Sequence, residues 1–190
     1  MSQPFIADQT FHQQDYTERA LPPGKYDNCR FTHCRFGNAT LDGREFSDCT
    51  FDNCDLTGAT VGGTAFKTVH FQDCKLLALR FEDCRDFLFA IHGRGSTFDY
   101  SSFVGLDLRQ SSFSQCIFRE VDFTEANLRK LSLEECDLTR ATFQDTDLRD
   151  TDLSSARGFD IDPRQNRIRG AVFSSDGLSG LLQSFGIVIR

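Results

Sequence analysis

From Asp122 to Leu153 the chain reads DFTEANLRKLSLEECDLTRATFQDTDLRDTDL, and Phe123, Leu128, Leu133, Leu138, Phe143, Leu148 and Leu153 recur at every fifth position. Two residues before each stands Val121, Ala126, Leu131, Cys136, Ala141, Thr146 or Thr151. Neither regular element has that period. A helix face repeats near 3.6 residues and a strand face near 2, so strict fives would spiral an apolar stripe around a helix and swap it between the faces of a strand. Each pentad must instead be one side of a larger coil. If a pentad is a short extended segment and a turn, four of them close a square of about 20 residues, and stacked squares build a solenoid. The pentad centre, i, and the residue at i−2 then point inward, while i−1, i+1 and i+2 face solvent.

This alternation of a small residue, Asp or Asn, Leu or Phe, and two polar residues resembles the pentapeptide-repeat proteins. The resemblance implies an all-β solenoid, a right-handed quadrilateral β-helix, over most of the chain. A length of 190 residues fits one such domain. Twenty Phe, no Trp and a single Met suit a core that wants one flat, repeatable shape. The net charge of −7 argues against direct nucleic-acid binding and against anionic membranes. The N-terminal stretch has no basic and apolar leader pattern, and no run of 18 apolar residues occurs, so a soluble, cytoplasmic protein is expected.

Eight cysteines would ordinarily suggest disulfides or zinc, but Cys29, Cys34, Cys49, Cys54, Cys74, Cys84, Cys116 and Cys136 all fall at i−2, where other pentads use Ala, Thr or Ser. They are expected to be inward fillers. Cys34, Cys54 and Cys74 lie one coil apart, ~4.8 Å between Cα atoms, so distance permits a crosslink that a reducing cytosol disfavours.

The phase divides the chain. Residues 1–25 keep step through Ile6, Phe11, Tyr16 and Leu21 but with poor i−2 residues and a Pro22-Pro23-Gly24 turn, and are expected to form a cap or degenerate first coil. Residues 26–84 run unbroken from Tyr26 to Phe81, with Arg44 the one large polar residue at i−2, expected either to reach outward or to mark a distortion. Residues 85–97 break the register, which resumes at Phe98, and this bulge or loop is a candidate binding element. Residues 98–157 form the second block, the fives fading after Ser154. Residues 158–190 form a C-terminal module in which Ser174, Ser175 and Asp176 offer an N-cap, and Leu178, Leu181, Leu182 and Phe185 predict a one-sided helix ending at Gly186. Such a helix would cap the open solenoid end, and its surplus apolar surface would seat a second copy.

That ending, RIRGAVFSSDGLSGLLQSFGIVIR, is similar to the C-terminal module of the quinolone-resistance, or Qnr-type, pentapeptide-repeat proteins. The resemblance implies an end-to-end homodimer through Leu178, Leu181, Leu182, Phe185, Ile187 and Ile189, and a rod that imitates duplex DNA. It implies binding to the type II topoisomerases, DNA gyrase and topoisomerase IV, and protection from fluoroquinolones. Many members carry two protruding loops; the register from Tyr26 to Phe81 leaves no space for the first, and only the break at Arg85 to Thr97 can correspond to the second.

No catalytic constellation accompanies the fold. His12, His33, His70 and His92 are scattered, and His92-Gly93-Arg94-Gly95-Ser96 is faintly like a phosphate loop but lacks the Lys-Ser/Thr that defines one. A non-enzyme without cofactor or metal is expected. Residues 98–153 carry twelve carboxylates against six cations, so an acidic surface is expected beside the dimer seam. Candidate partner contacts are Arg85, Asp86, His92 and Arg94 at the break, and Asp107, Asp122, Glu125, Asp137, Asp147 and Asp152 in the second block. Arg109, Arg129 and Arg149 stand one coil apart at i+1, either neutralised by Asp107, Asn127 and Asp147 or open to an acidic partner. Two functions remain open from sequence: a topoisomerase-binding DNA mimic, and a cytoplasmic interaction scaffold with no action on topoisomerases.

Overall fold

The structure, a computed structural model, describes residues 3–187. The chain winds into a parallel β-solenoid of about eight turns. Short strands mark the coil sides: β1 (Phe5–Ala7), β2 (Thr10–His12), β3 (Lys25–Asp27), β4 (Arg30–Thr32), β5 (Glu45–Ser47), β6 (Thr50–Asp52), β7 (Ala65–Lys67) and β8 (Val69–Gln72). Above them come β9 (Ile91–Arg94), β10 (Ser112–Ser114), β11 (Leu133–Glu134), β12 (Asp152–Leu153) and β13 (Val172–Phe173). Each residue pairs with its equivalent one coil later, as Tyr26 with Phe46 and Phe31 with Phe51.

We name the four sides by their pentad centres: face A holds Tyr26, Phe46 and Phe66, face B Phe31, Phe51 and Phe71, face C Phe36, Leu56 and Leu76, and face D Leu41, Val61 and Phe81. Face A carries the four-stranded sheet β1-β3-β5-β7, and face B the seven-stranded sheet running from β2 to β11.

The inward assignment holds at both positions. Centres such as Phe31, Phe51, Phe103, Leu128 and Leu138 are wholly buried, and so are i−2 residues such as Cys49, Ala126, Thr146 and Thr151. In the first block the centres stack ring on ring: Phe31 lies 4.7 Å from Phe51 at 10°, and Phe51 lies 5.2 Å from Phe71.

The i−2 residues also donate hydrogen bonds, a role beyond filling space. Thr146 Oγ1 donates to Phe123 O at 2.9 Å, Thr151 Oγ1 to Leu128 O at 2.8 Å and Cys54 Sγ to Phe31 O at 3.4 Å, each reaching a centre carbonyl of the coil below. Arg44 obeys the same rule and corrects the expectation for it: it stays buried, donating to Leu21 O from Nε at 3.1 Å and to Asp42 O from Nη1 at 3.0 Å. The ladder passes it without distortion, with Glu45 paired to Lys25 and Ala65. The carbonyls of a buried coil need donors, and a guanidinium supplies several.

Most corners bend through a left-handed residue at i+2, such as Asn28 (φ 49) and Lys130 (φ 65), and most of these are not glycine. An L-residue pays roughly 1–2 kcal/mol for that conformation. The corner N–H groups offset it by bonding up the stack, as Asn28 N to Ser47 O at 2.9 Å and Glu125 N to Gln144 O at 2.8 Å.

At the register break one coil is longer than the rest: Val69 pairs with Ile91, Lys75 with Thr97 and Arg80 with Ser102. The additional residues bulge from face A between Arg85 and Leu88, so β7 is the last strand of the face A sheet, whereas face B continues from β8 into β9 without interruption. The repeat therefore resumes at β9, earlier than Phe98, with Gly93 in the place of a centre. The sequence hid this because Gly93 lacks a large inward side chain. No room exists for one: a Cβ on Gly93 would lie 2.9 Å from Phe113 and 3.0 Å from Cys116 Sγ.

The C-terminal module departs from expectation in two ways. The coil spacing does not lapse after Ser154, since Asp137 pairs with Arg157, Asp147 with Arg167 and Asp152 with Val172. The expected helix is a pair of short 3-10 helices, Asp176–Leu181 and Gln183–Phe185, and of the expected cap residues it is Ser174 whose Oγ accepts Gly177 N, at 3.1 Å, while Ser175 makes no side-chain cap bond. Gly177, Gly180, Ser179 and Ser184 weaken an α-helix. Gly180 also lies on Phe159, where a Cβ would sit 2.3 Å from the Phe159 carbonyl oxygen, so its lack of a side chain seats the segment on the last coil.

Candidate interaction surface

The outward positions decide what the rod can touch, and the ten candidate contacts do not form one surface. Asp107 and Asp147 lie on face A, His92, Arg94 and Asp152 on face B, Asp137 on face C, Asp122 on face D and Glu125 at its corner with face A; Arg85 and Asp86 belong to the bulge.

Several of the carboxylates are engaged within the fold. Asp107 pairs with Arg109 at 2.6 Å and Asp147 with Arg149 at 2.5 Å, while each also accepts the backbone N–H of the same arginine. Asp152 accepts Ser154 N at 2.9 Å. Asp137 is buried and held by Arg119 at 2.9 Å, Arg157 at 3.5 Å and Thr139 Oγ1 at 2.6 Å. Burial alone would raise its pKa, but the Thr139 hydroxyl and the Arg119 guanidinium outweigh that and hold the carboxyl at about 2. The arginine column is accordingly self-neutralised at Arg109 and Arg149, and Arg129 reaches Asp150 at 3.4 Å.

Face D concentrates negative charge. Along it stand Asp42, Glu82, Asp83, Asp122, Glu125, Asp145 and Asp162 against Arg80 and Arg164. Arg80 is taken by Glu82 and Asp83, and Arg164 by Asp162. Asp42, Asp122, Glu125 and Asp145 have no cationic partner among the described residues. Sequence counting found the acidic excess; that Asp122, Glu125 and Asp145 share a side with Asp42 required the fold.

The bulge adds apolar surface beside the exposed Arg85 and Asp86. Phe87 is 71% and Leu88 63% exposed on face A, and Arg85 is turned back to Gly43 O at 3.3 Å. The four histidines, scattered in sequence, all fall on face B. At the C-terminal end Leu178, Phe185 and Ile187 are each about half exposed, Leu181 and Leu182 are half-buried, and Arg164 lies over the Phe185 ring at 4.5 Å. The expected seam residue Ile189 lies outside the described residues. Among the described residues no cluster of three or more His, Cys, Asp or Glu could hold a metal, and no helix is long and apolar enough to cross a membrane.

A comparison with curated proteins finds no match. Among solved structures, QnrB1 in a trypsin-treated form, a plasmid-mediated fluoroquinolone resistance protein, superposes with a TM-score of 0.73 over 100% of this chain and 92% of its own, at 16% identity. Full-length QnrB1 gives 0.57 over 96% and 100%, also at 16% identity. HetL, a pentapeptide-repeat protein involved in heterocyst differentiation regulation in the cyanobacterium Nostoc, gives 0.70 over 89% and 85% at 16% identity. At such identities the likeness is one of fold. The family profile "Pentapeptide repeat region" matches residues 24–89, and "Pentapeptide repeats" matches residues 116–154 in eight copies. With one profile running from residue 24 through the bulge, the other covering the upper coils, and the solenoid continuous between them, the chain belongs to the pentapeptide-repeat family.

Proposed function

We propose that the protein is a non-catalytic rod that binds a type II topoisomerase, DNA gyrase or topoisomerase IV, in the basic groove that otherwise receives duplex DNA, and so counters fluoroquinolones. The observation that carries the reading is face D, where Asp42, Asp122, Glu125 and Asp145 stand without cationic partners on a rod of about eight coils. At ~4.8 Å per coil the rod is ~38 Å long, a length of duplex bearing on the order of 20 phosphates. A net charge of −7 is far below that. The imitation therefore rests on shape and on one charged side, and the net charge steers the encounter. The whole-length likeness to QnrB1 supports the choice of partner.

The half-exposed Leu178, Phe185 and Ile187, with Leu181 and Leu182, are the proposed seam of a homodimer, which would double the rod. The double variant Leu182→Glu, Phe185→Glu is expected to be monomeric by light scattering, because paired copies cannot bury four carboxylates without partners. A wild-type monomer at micromolar concentration refutes the seam.

The deciding experiment is DNA gyrase supercoiling with and without ciprofloxacin. Rescue by the wild-type protein, lost in Asp122→Asn, Glu125→Gln, Asp145→Asn, is expected; no effect over a wide dose range overturns the reading. That negative outcome favours a second one, an interaction scaffold for a different cytoplasmic protein, which the comparable fold likeness to HetL supports.

A further inference from the structure

Face B carries a constellation that the acidic-rod reading does not use. Strand β9 alternates inward Ile91 and Gly93 with outward His92 and Arg94. Parallel pairing places His70, His92 and Ser112 in one column and Gln72, Arg94 and Ser114 in the next. The two columns are about 6.7 Å apart, two residues of a strand. His70 and His92 stack with ring centroids 4.7 Å apart at 25°, and His92 Nδ1 meets Ser112 Oγ at 2.8 Å. Together with Phe71 and Gly93 these six side chains line a surface cleft of about 330 Å³.

Three features give the cleft a sign. No carboxylate lines it. Arg94 has no ion pair or side-chain hydrogen bond among the described residues, unlike Arg30, which is held by Asp52 at 2.7 Å on the same face. The remaining lining groups, two imidazoles, two hydroxyls and an amide, can all donate. A guanidinium between donors is a poor neighbour for a dication and a good one for an oxyanion. The short Ser112 and Ser114 above and the long His and Arg below make one end of the cleft open and shallow, a fit for a small tetrahedral group.

We propose that this cleft binds a phosphate-class oxyanion, with Arg94 as the principal charge and His70, His92, Ser112 and Ser114 as donors. The chemistry differs from that of a phosphate loop, the motif that residues 92–96 faintly suggest. There backbone N–H groups cradle the anion at a helix start; here residues 91–94 are a strand whose N–H groups are committed to the sheet, and the side chains must do the binding. Burial and the neighbouring His70 lower the His92 pKa, so that imidazole is neutral at pH 7 and its charge appears only on acidification. The charged groups around this pair are Arg94, Asp73 at the adjoining corner, Asp52 one coil below, itself tied to Arg30, and Glu134 on the coil above Ser114. Affinity for sulfate, whose own charge is constant over this range, should therefore rise as pH falls from 7 toward 5.5, while phosphate itself gains a proton over the same window.

The test is ¹H–¹⁵N imidazole spectroscopy of the full chain titrated with inorganic phosphate at pH 6. His70 and His92 should shift saturably while His12 and His33, on the same face two to four coils away, stay still. Arg94→Gln should weaken binding about tenfold or more, the loss of a charge-assisted contact, and an unchanged circular dichroism spectrum would show that the solenoid is intact. A parallel titration with a phosphoserine peptide identifies the source: tighter binding than phosphate assigns a protein-borne group, weaker binding a free one. Equal shifts at all four histidines, indifference to Arg94→Gln, or saturation by zinc in place of phosphate would each overturn the proposal.

Discussion

The blocks on either side of the bulge share one coil and build it differently. Below it, three-residue strands carry Tyr26, Phe46 and Phe66 on face A and Phe31, Phe51 and Phe71 on face B, and the rings stack. Above it, faces A and B carry Leu128, Leu148, Leu133 and Leu153, the stacked rings sit on faces C and D as Phe98 on Phe118 and Phe103 on Phe123, and most rungs are single bridges, such as Asp107 to Asn127 to Asp147. The residue at i−1 separates the two. In the upper block it is commonly Asp or Asn, whose side chain accepts the N–H at i+1: Asp122 takes Thr124 N at 2.8 Å, Asp137 takes Thr139 N at 3.1 Å and Asp147 takes Arg149 N at 3.2 Å. An N–H captured by its own turn leaves the ladder, so the strand shortens to a bridge. In the lower strands i−1 is Lys25, Arg30, Glu45, Thr50, Ala65 or His70, and the pairing extends over three or more residues. Coil spacing thus depends on inward burial, while strand length varies with the outward residue at i−1 on faces A and B and with the face itself, since Arg35, Thr40, Thr60 and Lys75 on faces C and D also form single bridges.

The largest expected effect tests the core of that contrast. Phe51→Ala removes a ring stacked on both Phe31 and Phe71 and should cost about 3 to 5 kcal/mol, whereas Leu138→Ala in the upper block should cost about 2 to 4. Phe143 stacks only on Phe123, at 5.4 Å, and its truncation should fall below that of Phe51. Denaturant titration of the three variants checks the order; a costless Phe51→Ala would remove the stacked ladder from the account.

Gly93→Phe is the next test, aimed at the boundary between blocks. The repeat pattern alone recommends Phe there, yet contacts of 2.9 Å to Phe113 and 3.1 Å to Phe98 leave no volume, so the variant should lose roughly 1 to 3 kcal/mol by overpacking. A stabilised variant would show that the bulge leaves an unfilled rung.

The upper block should be the more acid-sensitive. Asp137→Asn should cost about 1.5 kcal/mol at neutral pH, the order of a hydrogen bond to a charged group. The folded carboxyl titrates at about 2 against an ordinary value of 3.8. Its contribution is therefore complete above pH ~4 and fades as pH falls toward ~2. Thermal melts of wild type and variant should converge across that window, and a constant gap would mean that Asp137 acts by packing.

The smallest expected effect concerns the inward donors. Thr146→Val keeps the volume but removes the bond to Phe123 O, and should cost about 1 kcal/mol. Equal melting temperatures would return i−2 to the role of filler.

Sequence alone settled the coil, because a period of five has no other economical way to bury one large and one small residue per unit; the inward sets around Phe51 and Leu138 and the place of all eight cysteines were legible in it. What it could not carry was anything formed between residues a coil apart. Gly93 as a rung, the donor role of Arg44, the unbroken spacing at Arg157 and Arg167, and the 3-10 turns seated on Phe159 all depend on what the adjacent coil offers. The candidate contacts were legible as residue types but not as a surface, since the side on which a charge emerges depends on the count of residues through the bulge. That count, fixed by Val69 meeting Ile91, places all four histidines on face B. It also gathers Asp122, Glu125 and Asp145 along one side above Asp42, an arrangement that stacking in three dimensions creates and that linear spacing does not display.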